Sequence, residues 1–218
     1  MQQYLLTEQP SILNRFFAEM RDCNIQKDSM RFRRNMERVG EIFAYEISKT
    51  LNYHAAEVQT PLGIAATKLP AGTLVLATIL RAGLPLHQGF LNVFDKAENA
   101  FIAAYRKYGK DNKFTIQFEY LSSPSVAGKV LILMDPMLAT GASMVLAYQA
   151  LVSKGKPAHT HLVCPIASRD GVEYLQRNLP EKETTLWVGD IDPELTLKSY
   201  IVPGLGDAGD LAYGNKTS

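Results

Sequence analysis

From about position 72 onward the chain repeats one alternation. Five short apolar runs, TLVLATIL (73–80), AFIAAY (100–105), KVLILM (129–134), THLVCPIA (160–167) and TTLWVGDI (184–191), are separated by helical stretches. Runs that are apolar on both faces suit strands covered on both sides, as in a mainly parallel sheet. The residues ATGASMVLAYQALVSKGKP, between the third and fourth runs, read as a helix that stops at Lys154, with Gly155 closing it and Pro157 just beyond. Another helix follows Ser168 as N-cap, with Val172, Leu175 and Leu179 on one face. Strand, helix, strand in that order predicts an α/β fold with right-handed crossovers, its twisted sheet flanked by helices. Upstream, Ser11 caps a stripe of Ile12, Leu13, Phe16, Phe17 and Met20, and a longer helix is expected from Ser29, with Met36, Val39, Phe43 and Ile47 on its apolar face. These helices, over about 11–51, are expected to precede the sheet.

Composition limits what such a chain does. At 218 residues and 46% hydrophobic it can bury one substantial core, and no linker, repeat or low-complexity tract divides it, so 1–218 is expected to be a single domain. Lys and Arg number 23 against 22 Asp and Glu, a formal net charge of +1, which offers no broad field to nucleic acid or an anionic membrane. The local basic run RFRRNMER (31–38) reads as a solvated helix face. Cys23 and Cys164 have no CxxC or metal spacing and are both expected in the core of a reduced, cytoplasmic protein. The start, MQQYLLTEQP, has no basic leader and apolar stretch, and no run nears the roughly 20 apolar residues that span a bilayer. His159 and His161 alternate on a strand but have no third metal ligand nearby, and Trp187 is expected in the core.

One stretch carries chemistry: LILMDPMLATGASM (131–144). Ligands of an open parallel sheet bind beyond the carboxyl ends of its strands, and Asp135 stands at such an end. The following ATGAS (139–143) has small residues whose backbone can approach a ligand, just before a helix whose free N–H groups attract an anion. Thr140 and Ser143 add hydroxyl donors, while the Asp135 carboxylate suits sugar hydroxyls. Acid and cradle together describe a ribose 5-phosphate. No Gly-Lys-Ser/Thr follows the turn, which excludes a P-loop.

Asp135, Pro136, Met137, Leu138, Ala139, Thr140, Gly141, Ala142 and Ser143 (DPMLATGAS) resemble the phosphoribosyl-pyrophosphate (PRPP) motif of type I phosphoribosyltransferases, in the form found in uracil phosphoribosyltransferases, where a proline such as Pro136 replaces a second acid. ILRAGLPL (79–86) resembles their pyrophosphate loop and YIVPGLGDAGD (200–210) their uracil-binding segment, in the same order. The resemblance implies a type I phosphoribosyltransferase-like α/β fold with a PRPP-binding core over about 56–190, a flexible arm at RKYGKDNK (106–113) and a small base-binding hood over about 191–214. It implies that Arg81, Arg106 and Asp135 are catalytic, that these three, the rest of 135–143 and Asp207 bind PRPP, and that the backbone of Ile201, Gly206, Asp207 and Ala208 reads uracil. It also implies magnesium carried by the substrate with no protein ligand, a homodimer or larger homo-oligomer and, in some relatives, GTP as allosteric activator. GLGDAG (204–209) matches GxGxxG, yet a dinucleotide fingerprint needs a further strand and an acid about 20 residues on, which 210–218 do not supply.

The chain departs from the family pattern at Ala142, where a glycine is common, at Leu211 and Tyr213, where arginine and phenylalanine are usual, and at Gln88, Arg169 and Asp170. Ala142 adds a Cβ to the cradle and is expected to weaken PRPP binding. Leu211 and Tyr213 leave open a different nucleobase, and a non-catalytic nucleotide-binding regulator on the same scaffold is a third reading.

Overall fold

The computed structural model describes residues 1–108 and 114–216, without the side chains of 104–108 and 114–119. The chain opens with strand β1 (Gln2–Leu5) and helices α1 (Ile12–Arg21) and α2 (Ser29–Ser48). Strands β2 (Tyr53–Thr60) and β3 (Gly63–Pro70) form a separate antiparallel hairpin. Next come β4 (Leu74–Leu80), α3 (Leu84–Val93), β5 (Glu98–Tyr108) and β6 (Phe114–Ser122), then β7 (Val130–Met134), the short β8 (Met137–Leu138) and α4 (Ala142–Val152). After β9 (His159–Ser168), α5 (Arg169–Asn178) and β10 (Thr184–Asp192), the two-residue strands β11 (Glu194–Leu195) and β12 (Ile201–Val202) lead to α6 (Ala208–Tyr213).

The main sheet runs in the order β1-β10-β9-β7-β4-β5-β6, with β8 added beside β9. Its neighbours are parallel except β5 with β6. Each of the five apolar runs forms one of its strands. Along β7 the side chains alternate between two cores. Leu131 and Leu133 join Met144, Leu151 and Leu175 beneath α4 and α5, while Ile132 and Met134 join Phe17, Met36, Phe43 and Phe90 beneath α1, α2 and α3. This two-sided burial is what the unbroken apolar runs encode. Ser11 and Ser168 cap α1 and α5 with their hydroxyls, as expected.

Three expectations are corrected. A strand, not a helix, comes first: β1 pairs in parallel with β10 at the sheet edge, and Tyr4 stacks on Trp187 at 4.1 Å. Cys164 is buried but Cys23 is exposed, because it lies past the end of α1 and off that helix's apolar face. The basic run on α2 is only partly a solvated face. Arg31 and Arg34 are exposed, but Arg33 donates to the Ala212 carbonyl at 2.6 Å, and Arg38 lies over the Phe16 ring.

Candidate active site

The candidate site forms where β4 and β7 end side by side, with Thr78 in register with Met134. One residue beyond Met134, Asp135 donates its own N–H to the Val163 carbonyl (3.0 Å), and its Oδ1 accepts from Met137 N–H (3.3 Å). The residue is partly buried at the strand end. Burial pushes its carboxyl up to about 7, opposed by the Met137 N–H. Cys164, next on β9, has its thiol raised well above the usual range by burial and then by the Asp135 charge, so it acts as packing and not as a nucleophile.

The residues after Asp135 form a loop built to turn into a helix. Pro136 is buried, and its carbonyl accepts from Ile166 N–H (3.1 Å); Met137 and Leu138 pair with Ile166 and Ala167. Gly141 is the N-cap of α4 with φ +79°, a left-handed backbone that a residue with a Cβ adopts only under strain. Ala142 is the first helical residue and has no positive φ, so the position that demands glycine is Gly141. Thr140 and Ser143 stand partly exposed beside the helix start. A feature absent from the sequence reading supports the loop from behind. Ser168 donates its hydroxyl to the Ala139 carbonyl (2.5 Å) while capping α5.

Arg81 follows β4 and reaches the C-terminal segment. Its Nη2 donates to Asp210 Oδ1 and to the Gly214 carbonyl, both at 3.1 Å, and its Nε is buried with no partner among the described residues. The two motifs, far apart in sequence, therefore meet in space. In that segment Ile201 is buried on β12, Gly206 holds φ +92°, Asp207 caps α6 by accepting from Asp210 N–H (3.0 Å), and Ala208 opens the helix. Arg106 stands on β5 opposite Ile116, but its side chain and residues 109–113 of the expected arm lie outside the described residues.

The opposite end of the sheet has different chemistry. A cavity of about 250 Å³ opens at the amino ends of the strands, between Tyr4, Trp187, His159 and His161. Each imidazole there is engaged by a neighbouring side chain. His161 Nδ1 accepts from Trp187 Nε1 (3.1 Å), His159 Nε2 meets Thr185 Oγ1 (2.9 Å), and burial, then the neighbouring His159, lowers His161 to about 3. No cluster of three or more potential metal ligands exists among the described residues, and none of their helices is long and apolar enough to cross a membrane.

The sheet, with an acid and a glycine turn entering a helix at its strand ends, defines the type I phosphoribosyltransferase class of α/β protein. The uracil phosphoribosyltransferase family model matches residues 7–215. Uracil phosphoribosyltransferases of Porphyromonas gingivalis and Pyrococcus furiosus are 58% and 35% identical to the chain. The first alignment covers 94% of this chain and 95% of the relative, the second 97% and 89%. The solved AQ2163 protein of Aquifex aeolicus superposes with a TM-score of 0.86 at 27% identity, over 98% of both chains. The chain belongs to the uracil phosphoribosyltransferase family.

Proposed function

We propose that the chain transfers the 5-phosphoribosyl group of PRPP to uracil, giving UMP and pyrophosphate in cytoplasmic pyrimidine salvage. The bond from C1 to the pyrophosphate oxygen breaks with its electron pair leaving on pyrophosphate, uracil N1 bonds to C1, and the N1 proton is released. The observation that carries this reading is the meeting of two motifs: the Arg81 loop, which follows the strand next to that of Asp135, touches the 201–210 segment through Asp210 at 3.1 Å.

In this reading the N–H groups and hydroxyls of 139–143 at the start of α4 hold the 5-phosphate. Pro136, Met137 and Leu138 fix that loop to β9. Asp135 accepts from the ribose hydroxyls, and Arg81 and Arg106 neutralise the departing pyrophosphate as positive charge develops on the sugar. The backbone of Ile201, Gly206 and Ala208 reads the edge of uracil, with Asp207 at the junction to PRPP. Magnesium fits as part of the substrate, because Asp135 is the one carboxylate of the cradle and the cation favours several oxygen ligands and water. When bound it adds positive charge at the pyrophosphate oxygens. Product formation from PRPP, magnesium and labelled uracil, with cytosine, orotate and hypoxanthine alongside, tests the proposal. UMP made selectively from uracil is the expected result. Transfer to another base would reassign the substrate, and PRPP binding without turnover would make the chain a sensor.

We also propose a homo-oligomer. The β2–β3 hairpin stands apart from the main sheet and exposes Val58 and Leu69 on one face, Ile64 on the other and Leu62 at its turn, apolar side chains that a free monomer leaves in water. Sedimentation is expected to give two or more 24.2 kDa chains, and Leu62→Lys with Ile64→Lys to shift it toward one. A wild-type species at the mass of one chain would reject this.

A further inference from the structure

The 201–208 segment is held from behind by the last residue of α1. Arg21 donates from Nη1 to Asp192 Oδ2 (2.8 Å) and the Gly204 carbonyl (2.9 Å), and from Nη2 to Asp192 Oδ1 and Asp190 Oδ2 (both 2.9 Å). Gly204 returns its own N–H to Asp192 Oδ2 at 2.8 Å. Both backbone groups of one glycine are thus fixed by a single Arg–carboxylate fork. The Asp192 side chain is 6% exposed and that of Arg21 19%, so the pair is shielded from solvent, and the planar guanidinium grips two carboxylate oxygens and a carbonyl in a fixed fork that an ammonium does not reproduce. Gly204 has φ +56°, and a Cβ there would collide with the Ile201 carbonyl, so the turn requires glycine at this position.

The helix that carries Arg21 is itself anchored. Phe17 packs where a Cβ on Gly189 would sit, and Leu13, Phe17 and Met20 are buried against the sheet. Beyond α1, Gln26 donates Nε2 to the carbonyls of Met20 (2.9 Å) and Arg21 (3.2 Å), and its Oε1 lies 4.0 Å from where a Gly206 Cβ would stand. A continuous set of contacts runs from α1 through Asp192 to the glycines of the segment. The cradle at 139–143 is supported by Ser168, which lies opposite Asp192 in the β9–β10 ladder, but among the described residues no side-chain hydrogen bond of Arg21 reaches the cradle.

We propose that Arg21 is a positioning residue: through Asp192 and Gly204 it fixes the backbone of 201–208 in the shape that receives the nucleobase, and so sets base affinity without acting on the PRPP cradle. This rests on the reading that the segment binds uracil. Arg21→Lys keeps the charge but loses the fork. Steady-state kinetics with uracil and PRPP varied separately, run beside Gly206→Ala, test it. Gly206→Ala perturbs the segment directly, because its new Cβ meets nothing nearer than 4.0 Å while φ +92° is strained for alanine.

Arg21→Lys is expected to raise KM for uracil about tenfold and leave KM for PRPP within about twofold, a split that general loss of stability does not produce. If Gly206→Ala raises the uracil KM and Arg21→Lys does not, the clamp is overturned while the base-binding segment stands. If neither variant moves it, that segment's role falls and the proposal with it. Equal rises in both KM values would make Arg21 a structural residue only. Should Arg21→Lys fail to fold, Asp192→Asn keeps the side chain's size and removes the carboxylate that holds both Arg21 and the Gly204 N–H. A rise of about threefold confined to the uracil KM then supports the clamp, and no change overturns it.

Discussion

Gly141→Ala is expected to lower kcat/KM for PRPP by about 100-fold while the chain remains folded, since misplacing a binding group by about 1 Å can have that effect. The left-handed φ of +79° costs a residue with a Cβ about 1–2 kcal/mol. The new methyl would also stand 3.0 Å from the Gly171 carbonyl and from Tyr174 Cδ1, both on α5. The Tyr174 ring is exposed, but the Gly171 backbone is not free to retreat. A Cβ on Gly171 would itself stand 2.7 Å from the Leu138 carbonyl, and Ser168, which caps α5, holds Ala139. The strain is relieved by moving the loop, which turns the N–H groups at the start of α4 away from the phosphate. Ala142→Gly is the matched control. At an ordinary helical position it is expected to cost about 0.5–1 kcal/mol of stability and leave kcat/KM for PRPP within about threefold. Urea midpoints and initial rates separate the two effects, and a Gly141→Ala enzyme with wild-type kinetics would remove the loop from phosphate binding.

The contrast between these neighbours shows what the sequence can and cannot reveal. The five apolar runs gave their strands because burial on both faces leaves a continuous signature, and Ser11 and Ser168 were legible as caps because a hydroxyl before an apolar stripe has few other uses. Strand β1 was not legible: QQYL is short and half polar, and it becomes a strand only by pairing with β10. The β2–β3 hairpin buries almost nothing, so no core face imprints a period on it. Helix α3 is apolar around most of its circumference and shows no stripe, although Pro85 in its first turn was a start signal. At the site, Asp135 and its turn were local features and therefore readable. The pairing of Arg81 with Asp210 spans 129 positions and that of Arg21 with Asp192 spans 171, and no local pattern links residues so far apart. Arg33 looked solvated for the same reason: its partner, the Ala212 carbonyl, arrives from the far end of the chain.

Asp135→Asn is expected to make the ligand-free protein more stable at pH 8 and PRPP binding weaker, and one physical cause gives both. Burial holds the Asp135 carboxyl up to about 7, so between the usual carboxylate range near 4 and about 7 the folded protein keeps a proton that the unfolded chain releases. Stability contributed by the neutral acid is fully present below that window, is lost as pH rises through it, and is gone above about 7. Asparagine never carries the charge. The variant should therefore lose that slope and gain on the order of 1–2 kcal/mol at pH 8, read from urea midpoints across the window. Ribose hydroxyls change the balance, because they donate to a carboxylate and stabilise its ionised form. Wild-type affinity for PRPP is then expected to be about tenfold weaker at pH 6 than at pH 8, following the fraction of ionised Asp135. The phosphate of the ligand also titrates near pH 6, so the variant serves as the reference: calorimetry should show it binding PRPP weakly with only the ligand's own, shallower pH dependence. If the two proteins share one pH profile and one affinity, Asp135 does not hold the ribose, and its burial is a property of the fold alone.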